Sequence, residues 1–156
     1  MPVKFVFLLV VVCLASSCIS KTEIRQVPSP KNPMVGTWRL LTATLIEKGD
    51  TTVTTYDKNI SFIKIINDSH FAFLQHDLSK GKKPDAVFVS GGGKYSFVNN
   101  QYTEHLEYCS AREWEGNDFK FKITIQNDTL TQSGVEKVDD AGIDRINIER
   151  YARIQP

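Results

Sequence analysis

Hydrophobic and polar residues alternate with a period of two along most of the chain after residue 34. The segment 118–126 reads Asp-Phe-Lys-Phe-Lys-Ile-Thr-Ile-Gln, so its apolar and polar side chains fall on opposite faces of an extended strand. Short turn sequences separate such segments, among them Asn67-Asp68-Ser69, Asn99-Asn100 and Asn127-Asp128. Asparagine tolerates the positive φ angle that tight hairpin turns require. The pattern therefore predicts neighbouring antiparallel strands joined by hairpins.

Eight or nine strands and no helix are expected from this pattern. A meander with one buried face must protect its edge strands, and closure into a barrel does so. We therefore predict an all-β fold, an antiparallel up-and-down β-barrel of about eight strands over residues 34–156. The predicted strands are 35–46, 51–56, 60–66, 70–76, 94–98, 101–109, 118–126, 129–135 and 143–154.

The first eighteen residues have the pattern of an export signal. Lys4 precedes an apolar run from Phe5 to Leu14, which is too short to span a membrane as a helix. Ala-Ser-Ser then stands directly before Cys18, and this resembles the lipobox of bacterial lipoproteins, in which the cysteine is acylated and becomes the new N-terminus. We expect a signal peptide over residues 1–17 and lipidation of Cys18. An ordinary cleaved signal followed by an incidental cysteine is the alternative.

Residues 18–33 have the composition of a tether. They carry Pro28, Pro30 and Pro33 among mixed charges, without hydrophobic periodicity. Such a segment cannot bury enough apolar surface to fold by itself, so we expect it to be flexible. Ile19 stands where an Asp marks inner-membrane retention in enteric bacteria. The resemblance therefore implies an outer-membrane lipoprotein of the cell envelope, held to the membrane by its lipid anchor.

Charge, cysteines and histidines exclude several function classes. Without residues 1–17, 18 basic residues balance 18 acidic ones, which argues against a nucleic-acid partner. Cys109 is then the only cysteine besides Cys18, and the three histidines lack ligand spacing, so we expect neither a disulfide nor a metal site. The glycine-rich segment 90–94 lacks the spacing of a phosphate loop and predicts a bulge or a bend. With no recognisable nucleophile and base, we expect no enzymatic activity and no cofactor.

Gly36-Thr37-Trp38, near the start of an all-antiparallel domain, resembles the Gly-x-Trp motif of lipocalins and their calycin relatives. Further segments are similar to small bacterial lipocalin-like lipoproteins, a family of largely unassigned function. The resemblance implies a lipocalin-like barrel in which Trp38 closes one end and Arg150 or Arg153 from a late strand lies across it. The matching segments are 65–72, 92–96, 102–108, 128–132 and 149–151.

A two-residue turn at Asn99-Asn100 sets a register that places an aromatic face inside the barrel. Residues opposite each other on paired strands share a face. The face that carries the aromatic side chains should point inward and take Glu104 with it, while His105 points to solvent. A slip of one residue would reverse this assignment. The residues expected on the inner face are Tyr95, Phe97, Tyr102, Glu104, Leu106 and Tyr108.

The same argument places Gln132 and Arg150 on inner faces. Gln132 lies opposite Ile123 in the hairpin that turns at Asn127-Asp128. In the last strand, Arg150 shares its parity with Ile146, Ile148 and Ile154. A carboxylate among aromatic rings is costly unless it is paired or protonated. We therefore expect Glu104 to pair with Arg150, because guanidinium binds carboxylate with two parallel hydrogen bonds.

Two functions follow from this interior. In the first, aromatic walls hold a small hydrophobic or amphipathic ligand whose polar end is oriented by Glu104 and Gln132. In the second, side chains fill the barrel, which acts as a non-enzymatic scaffold or subunit of a cell-envelope complex. A barrel of this size has room for either, and the segment 60–74, apolar on both faces, would suit an oligomer interface. The candidate ligand-binding residues are Tyr95, Phe97, Tyr102, Glu104, Tyr108, Gln132 and Arg150.

Overall fold

The computed structural model describes residues 32–56 and 59–155. Within these residues nine antiparallel strands form one sheet, and eight of them close into an up-and-down barrel, as predicted. Single turns of 3₁₀ helix lie at Arg112–Trp114 and Asp139–Ala141. The strands are β1 Gly36–Glu47, β2 Asp50–Thr55, β3 Ile60–Ile66, β4 His70–Asp77, β5 Phe88–Val98, β6 Gln101–Cys109, β7 Asp118–Gln126, β8 Thr129–Val138 and β9 Ile143–Arg153.

Strand β1 closes the barrel because it pairs with strands from both ends of the sheet. On one side it pairs with β9 along nearly its whole length. On its other side the first part, Gly36–Arg39, pairs with β3 and the later part, Thr42–Glu47, pairs with β2. Strand β2 therefore lies outside the barrel proper, and all of its residues are exposed. Closure removes the open sheet edges that an eight-stranded meander would otherwise expose.

The hairpin turns lie where the asparagines predicted them. Asn99 and Asn100 have φ angles of 52° and 62°, and Asn127 has a φ of 53°. Two consecutive residues with positive φ form the turn whose twist matches that of paired strands. The predicted register next to the first turn is confirmed, since Tyr95 pairs with Glu104.

A β-bulge interrupts the pairing of β5 with β6, within the glycine segment where a bulge or a bend was predicted. The register shifts between Gly92 and Gly93, and Glu107 is the extra residue on β6. A Cβ atom on Gly93 would clash with a backbone carbonyl oxygen of β6, so this position requires glycine. Beyond the bulge the faces are exchanged, so Cys109 is buried and Tyr108 is 68% exposed. The prediction of an inward Tyr108 is therefore wrong.

One end of the barrel is closed around Trp38, which is fully buried. The indole Nε1 donates a hydrogen bond to the carbonyl oxygen of Met34 at 2.8 Å. The guanidinium of Arg153 lies 4.0 Å from the ring centroid, so Arg153, not Arg150, is the late-strand arginine across the tryptophan. Gly36 has a φ of 146°, and a Cβ there would lie 2.6 Å from Arg153 Nη1. The Gly-x-Trp spacing thus leaves room for the arginine.

Side chains fill the half of the barrel next to Trp38. They are nearly inaccessible to solvent and come from both halves of the chain, which gives this end a close-packed core. Arg153 also donates to the carbonyl oxygens of Val35 at 2.9 Å and Pro33 at 2.7 Å, which ties the start of β1 to the end of β9. The core residues of this half are Met34, Trp38, Leu40, Phe71, Tyr102, Phe121, Leu130 and Tyr151.

We predict that Trp38→Ala lowers the free energy of unfolding by roughly 3–5 kcal/mol, the cost of emptying a buried aromatic site. Urea melts followed by far-UV circular dichroism measure this change. The matched control is Phe88→Ala, because Phe88 is an aromatic side chain that is 68% exposed. A loss in Trp38→Ala no larger than in the control would contradict the role of Trp38 in closing the barrel.

Candidate functional site

A lysine lies inside the barrel, directly above the aromatic core of the closed half. On β3 the side chains of Phe62, Lys64 and Ile66 alternate with outward ones, so Lys64 takes an inward position and is only 4% exposed. Its ammonium Nζ donates hydrogen bonds to Glu104 Oε1 at 2.7 Å and to Gln132 Oε1 at 3.1 Å. The lysine thus joins the two polar residues predicted to face inward.

Strand β9 adds a second carboxylate to this group. Glu149 Oε2 accepts hydrogen bonds from Gln132 Nε2 at 3.0 Å and from the Tyr151 hydroxyl at 2.7 Å. The same oxygen lies 3.9 Å from Lys64 Nζ. We call Lys64, Glu104, Gln132, Glu149 and Tyr151 the central polar cluster. It connects β3, β6, β8 and β9 across the interior of the barrel.

Burial and neighbouring charges set the protonation of this cluster. Burial raises the pKa of Glu104, and the Lys64 ammonium opposes that rise. Burial alone would lower the pKa of Lys64, but the carboxylates of Glu104 and Glu149 outweigh it and raise this pKa. Burial, with a further contribution from Glu149, raises the pKa of Tyr151 well above its usual 10.0. Lys64 is therefore a cation at neutral pH and Tyr151 a neutral donor.

Aromatic rings form a layer beneath the ammonium group. Lys64 Nζ lies 5.4 Å from the ring centroid of Tyr151, 5.8 Å from that of Tyr102 and 5.9 Å from that of Phe71. Cations are attracted to aromatic faces at such distances. Burial and the nearby Glu104 raise the pKa of Tyr102 well above 10.0. Its hydroxyl meets no hydrogen-bond partner among the residues that the structure describes.

Above the central polar cluster, toward the end of the barrel opposite Trp38, lies a cavity of about 330 Å³. The cluster provides its floor, while most of its wall is apolar. This combination of apolar walls and a few converging polar groups is typical of small-molecule sites. The apolar lining residues are Ala43, Leu45, Tyr56, Phe62, Phe73, Val89, Leu106, Cys109, Ala111, Trp114 and Phe119.

A second polar group lies on the cavity wall. Arg145 Nε donates a hydrogen bond to Glu136 Oε2 at 2.8 Å, and Arg145 Nη2 lies 2.7 Å from the same oxygen. Asn147 Nδ2 donates to the other oxygen of Glu136 at 2.7 Å. The Arg145 guanidinium also lies 5.3 Å from the ring centroid of Trp114. Both oxygens of this carboxylate are therefore occupied by donors from β9.

The structure brings together only part of the predicted ligand-binding set. Glu104 and Gln132 meet through Lys64 and line the cavity. Tyr102 lies beneath them, fully buried. Tyr95 and Phe97 are half-buried and pack against the core, as expected for inward side chains on β5. Among the described residues that line the cavity, Tyr95, Phe97 and Tyr102 do not occur.

Arg150 is exposed, so the prediction that it points inward and pairs with Glu104 is wrong. The prediction assumed that apolar side chains of β9 point into the barrel and polar ones point out, and on this part of β9 the opposite holds. Ile146 points outward and is 41% exposed, whereas Asn147 and Glu149 point inward and Tyr151 packs in the core. Hydrogen bonds inside the barrel stabilise part of these inward polar groups, since Asn147 Nδ2 donates to Glu136 and Glu149 Oε2 accepts from Tyr151.

Sequence reasoning missed the residue that pairs with Glu104. Lys64 stands between two apolar inward positions, Phe62 and Ile66, at a spacing of two residues on either side. A charged residue in such a row is a usable signal for a buried polar position. Glu149 carried no comparable signal, because its neighbours Ile148 and Arg150 suggested the opposite parity.

Comparison of the chain with protein-family models and with curated proteins found no match. No helix in residues 32–56 and 59–155 is long and apolar enough to cross a membrane. The described part of the chain also holds no group of three or more His, Cys, Asp or Glu side chains placed to bind a metal ion.

The central polar cluster predicts a loss of stability at alkaline pH. Lys64, Tyr102 and Tyr151 have raised pKa values in the barrel, so above about pH 10 the unfolded chain releases protons that the folded chain retains. The contribution of these groups should be fully present below that pH and decline as the pH rises further. Urea melts at several pH values between about 8 and 11 measure the decline.

The variant Lys64→Met isolates the lysine in this experiment. Above about pH 10.5, the free energy of unfolding of the variant should fall less steeply with pH than that of the wild type, because one group no longer contributes. Lys94→Met, which removes an exposed lysine, should keep the wild-type slope. Equal slopes in Lys64→Met and the wild type would show that Lys64 does not hold its proton as described.

Proposed function

We propose that this protein is a binding protein that holds a small amphipathic molecule inside its barrel. The observation that carries the proposal is the cavity of about 330 Å³, with apolar walls above a polar floor. Such a site buries the apolar part of a ligand and fixes its polar end with a few groups. The volume lies at the lower end of the usual range for ligand sites, which favours a small molecule.

The scaffold with a side-chain-filled barrel is the weaker candidate. Core side chains fill the half next to Trp38, but the opposite half contains the cavity. We also propose that the protein carries its ligand without enzymatic activity. The thiol that lines the cavity, Cys109, has a pKa that burial raises, and a thiol in this state is a poor nucleophile.

We further propose that the protein is a lipocalin-like lipoprotein of the cell envelope. The closed eight-stranded barrel and the packing of Arg153 on Trp38 support the lipocalin-like part of this assignment. The export signal and Cys18 lie outside the described residues, and the tether is described only from residue 32 onward. Their roles rest on the sequence, in which small residues directly precede the cysteine.

Filling the cavity should abolish ligand binding. We predict that native mass spectrometry of protein purified from its own host detects a small molecule that denaturation releases. Ala43→Phe should lose this molecule, because Ala43 lines the cavity. Ala72→Phe, the same change on the outer face of β4, should retain it, since Ala72 lies between the inward Phe71 and Phe73. Wild-type protein without bound ligand, or equal occupancy in the two variants, would contradict the proposal.

Removing the proposed lipid attachment site should release the protein from the membrane. We predict that Cys18→Ala moves the protein from the membrane fraction to the soluble fraction of its own host, after fractionation without detergent. The thermal unfolding of the released domain should match that of the wild type, because Cys18 lies outside the barrel sequence. A variant that stays with the membrane fraction would show that Cys18 is not the anchor.

A further inference from the structure

The charges that line the cavity do not balance. Three acidic side chains, those of Glu104, Glu136 and Glu149, share the lining with only two basic ones, Lys64 and Arg145, which is an excess of one acidic group. An acidic group without a cation in hydrogen-bond contact attracts a cation, because an opposite charge close by favours its ionised form. The excess of acidic over basic groups therefore indicates which charge the ligand of the proposed binding function should carry.

The excess charge can be assigned to one residue. Glu136 binds the Arg145 guanidinium through two nitrogens, and Glu104 accepts directly from the Lys64 ammonium at 2.7 Å. Glu149 has no cation within hydrogen-bond distance, since Lys64 Nζ lies 3.9 Å from its Oε2. Its Oε2 accepts from the neutral donors of Gln132 and Tyr151.

A second acceptor lies unpaired two residues before Glu149 on the same strand face. Asn147 is 5% exposed and lines the cavity, and its Oδ1 has no hydrogen-bond partner among the described residues. The amide is oriented by Glu136, whose carboxylate pairs with Arg145 through Oε2 and accepts from Asn147 Nδ2 through Oε1. Oδ1 is therefore left as an acceptor that requires a donor from elsewhere.

The wall of the cavity suits a cation with an apolar body. Phe62 and Phe73 stack at 5.9 Å between centroids, and Tyr56 packs edge-on against Phe62 at 5.9 Å. Aromatic faces attract organic cations as well as apolar groups. A carboxylate ligand would instead meet the excess negative charge, and both cations of the lining are already paired with protein carboxylates.

We infer that the cavity binds a small amphipathic organic cation, an amine whose ammonium group donates to Glu149 Oε1 and Asn147 Oδ1. Positions two apart on a strand lie on one face about 7 Å apart, a separation that one ammonium group between the two side chains can serve. The apolar part of the amine would lie against Phe62 and Phe73. This inference rests on the proposed function and names the chemical class of its ligand.

Three probes of similar size and different charge test the inference. They are 2-phenylethylamine as the cation, 2-phenylethanol as the neutral analogue and 3-phenylpropanoate as the anion. Each is titrated into isotopically labelled wild-type protein at neutral pH, and the dissociation constant is taken from the amide shifts of cavity-lining residues. We expect the amine to bind at least about tenfold more tightly than either analogue, the effect of a hydrogen bond to a charged group.

The outcomes separate the inference from the function on which it rests. If the alcohol or the carboxylate binds as tightly as the amine, the inference is overturned while the binding function stands. If none of the three probes gives saturable shifts in the cavity, the inference is overturned, and the native mass spectrometry of the wild-type protein decides the binding function separately. The probe series needs no variant, so its result does not depend on whether a substituted barrel folds.

A conservative substitution locates the ammonium group. Glu149→Gln keeps an oxygen for the donors of Gln132 and Tyr151 and removes the charge. It should weaken amine binding about tenfold and leave binding of the alcohol nearly unchanged. Glu107→Gln, which neutralises an exposed carboxylate on β6, should leave both unchanged. Equal weakening of amine and alcohol in Glu149→Gln would show that Glu149 acts through the fold and not on the ligand's charge.

Discussion

The structure depends on how the barrel accommodates the ammonium group of Lys64. An isolated charge inside a protein is costly, and it persists only when partners replace the water that it has lost. Here Glu104 supplies the opposite charge, Gln132 supplies a second acceptor, and aromatic rings lie within 6 Å on the closed side. Since these partners come from several strands, the ammonium group requires the barrel to be closed before it can be satisfied.

The central polar cluster also divides the interior into two halves. Below it, aromatic and aliphatic side chains pack around Trp38, with Arg153 across the outer side of the indole. Above it, the lining side chains leave a cavity, and the polar atoms of the cluster form the floor. One barrel thus combines a close-packed core with a recess in which Asn147 Oδ1 has no hydrogen-bond partner among the described residues and Glu149 accepts only from neutral donors.

Much of this fold could be predicted from local sequence, because strand periodicity and asparagine turns are local signals. The hairpin at Asn99-Asn100 and the pairing of Tyr95 with Glu104 are examples. Tyr108 was misplaced because a bulge exchanges the two faces of a strand, and the glycines that permit a bulge do not determine its register. The inward orientation of the Glu104 and Gln132 side chains was predicted from their parity with apolar neighbours. This rule applies where the interior of the barrel is apolar.

The remaining errors arise where the interior is polar. On β9 Ile146 faces outward while Asn147 and Glu149 face inward, so hydrophobic parity selected Arg150 in place of Glu149. Which cation pairs with Glu104 depends on contacts between β3 and β6, which lie 40 residues apart in sequence. No local sequence pattern determines which cation pairs with Glu104, although a lysine between apolar inward residues indicates a buried polar position at Lys64.

A double-mutant cycle between Lys64 and Glu104 tests the central claim most directly. The free energies of unfolding of wild type, Lys64→Met, Glu104→Gln and the double variant give the coupling between the two side chains. The exposed pair Lys137 and Asp139, 3.3 Å apart, serves as the control, and we expect its coupling to stay below about 1 kcal/mol. For Lys64 and Glu104 we expect a coupling above about 1.5 kcal/mol, with the double variant more stable than the two single losses would predict. Additivity within about 0.5 kcal/mol would contradict the claim that this buried pair organises the barrel.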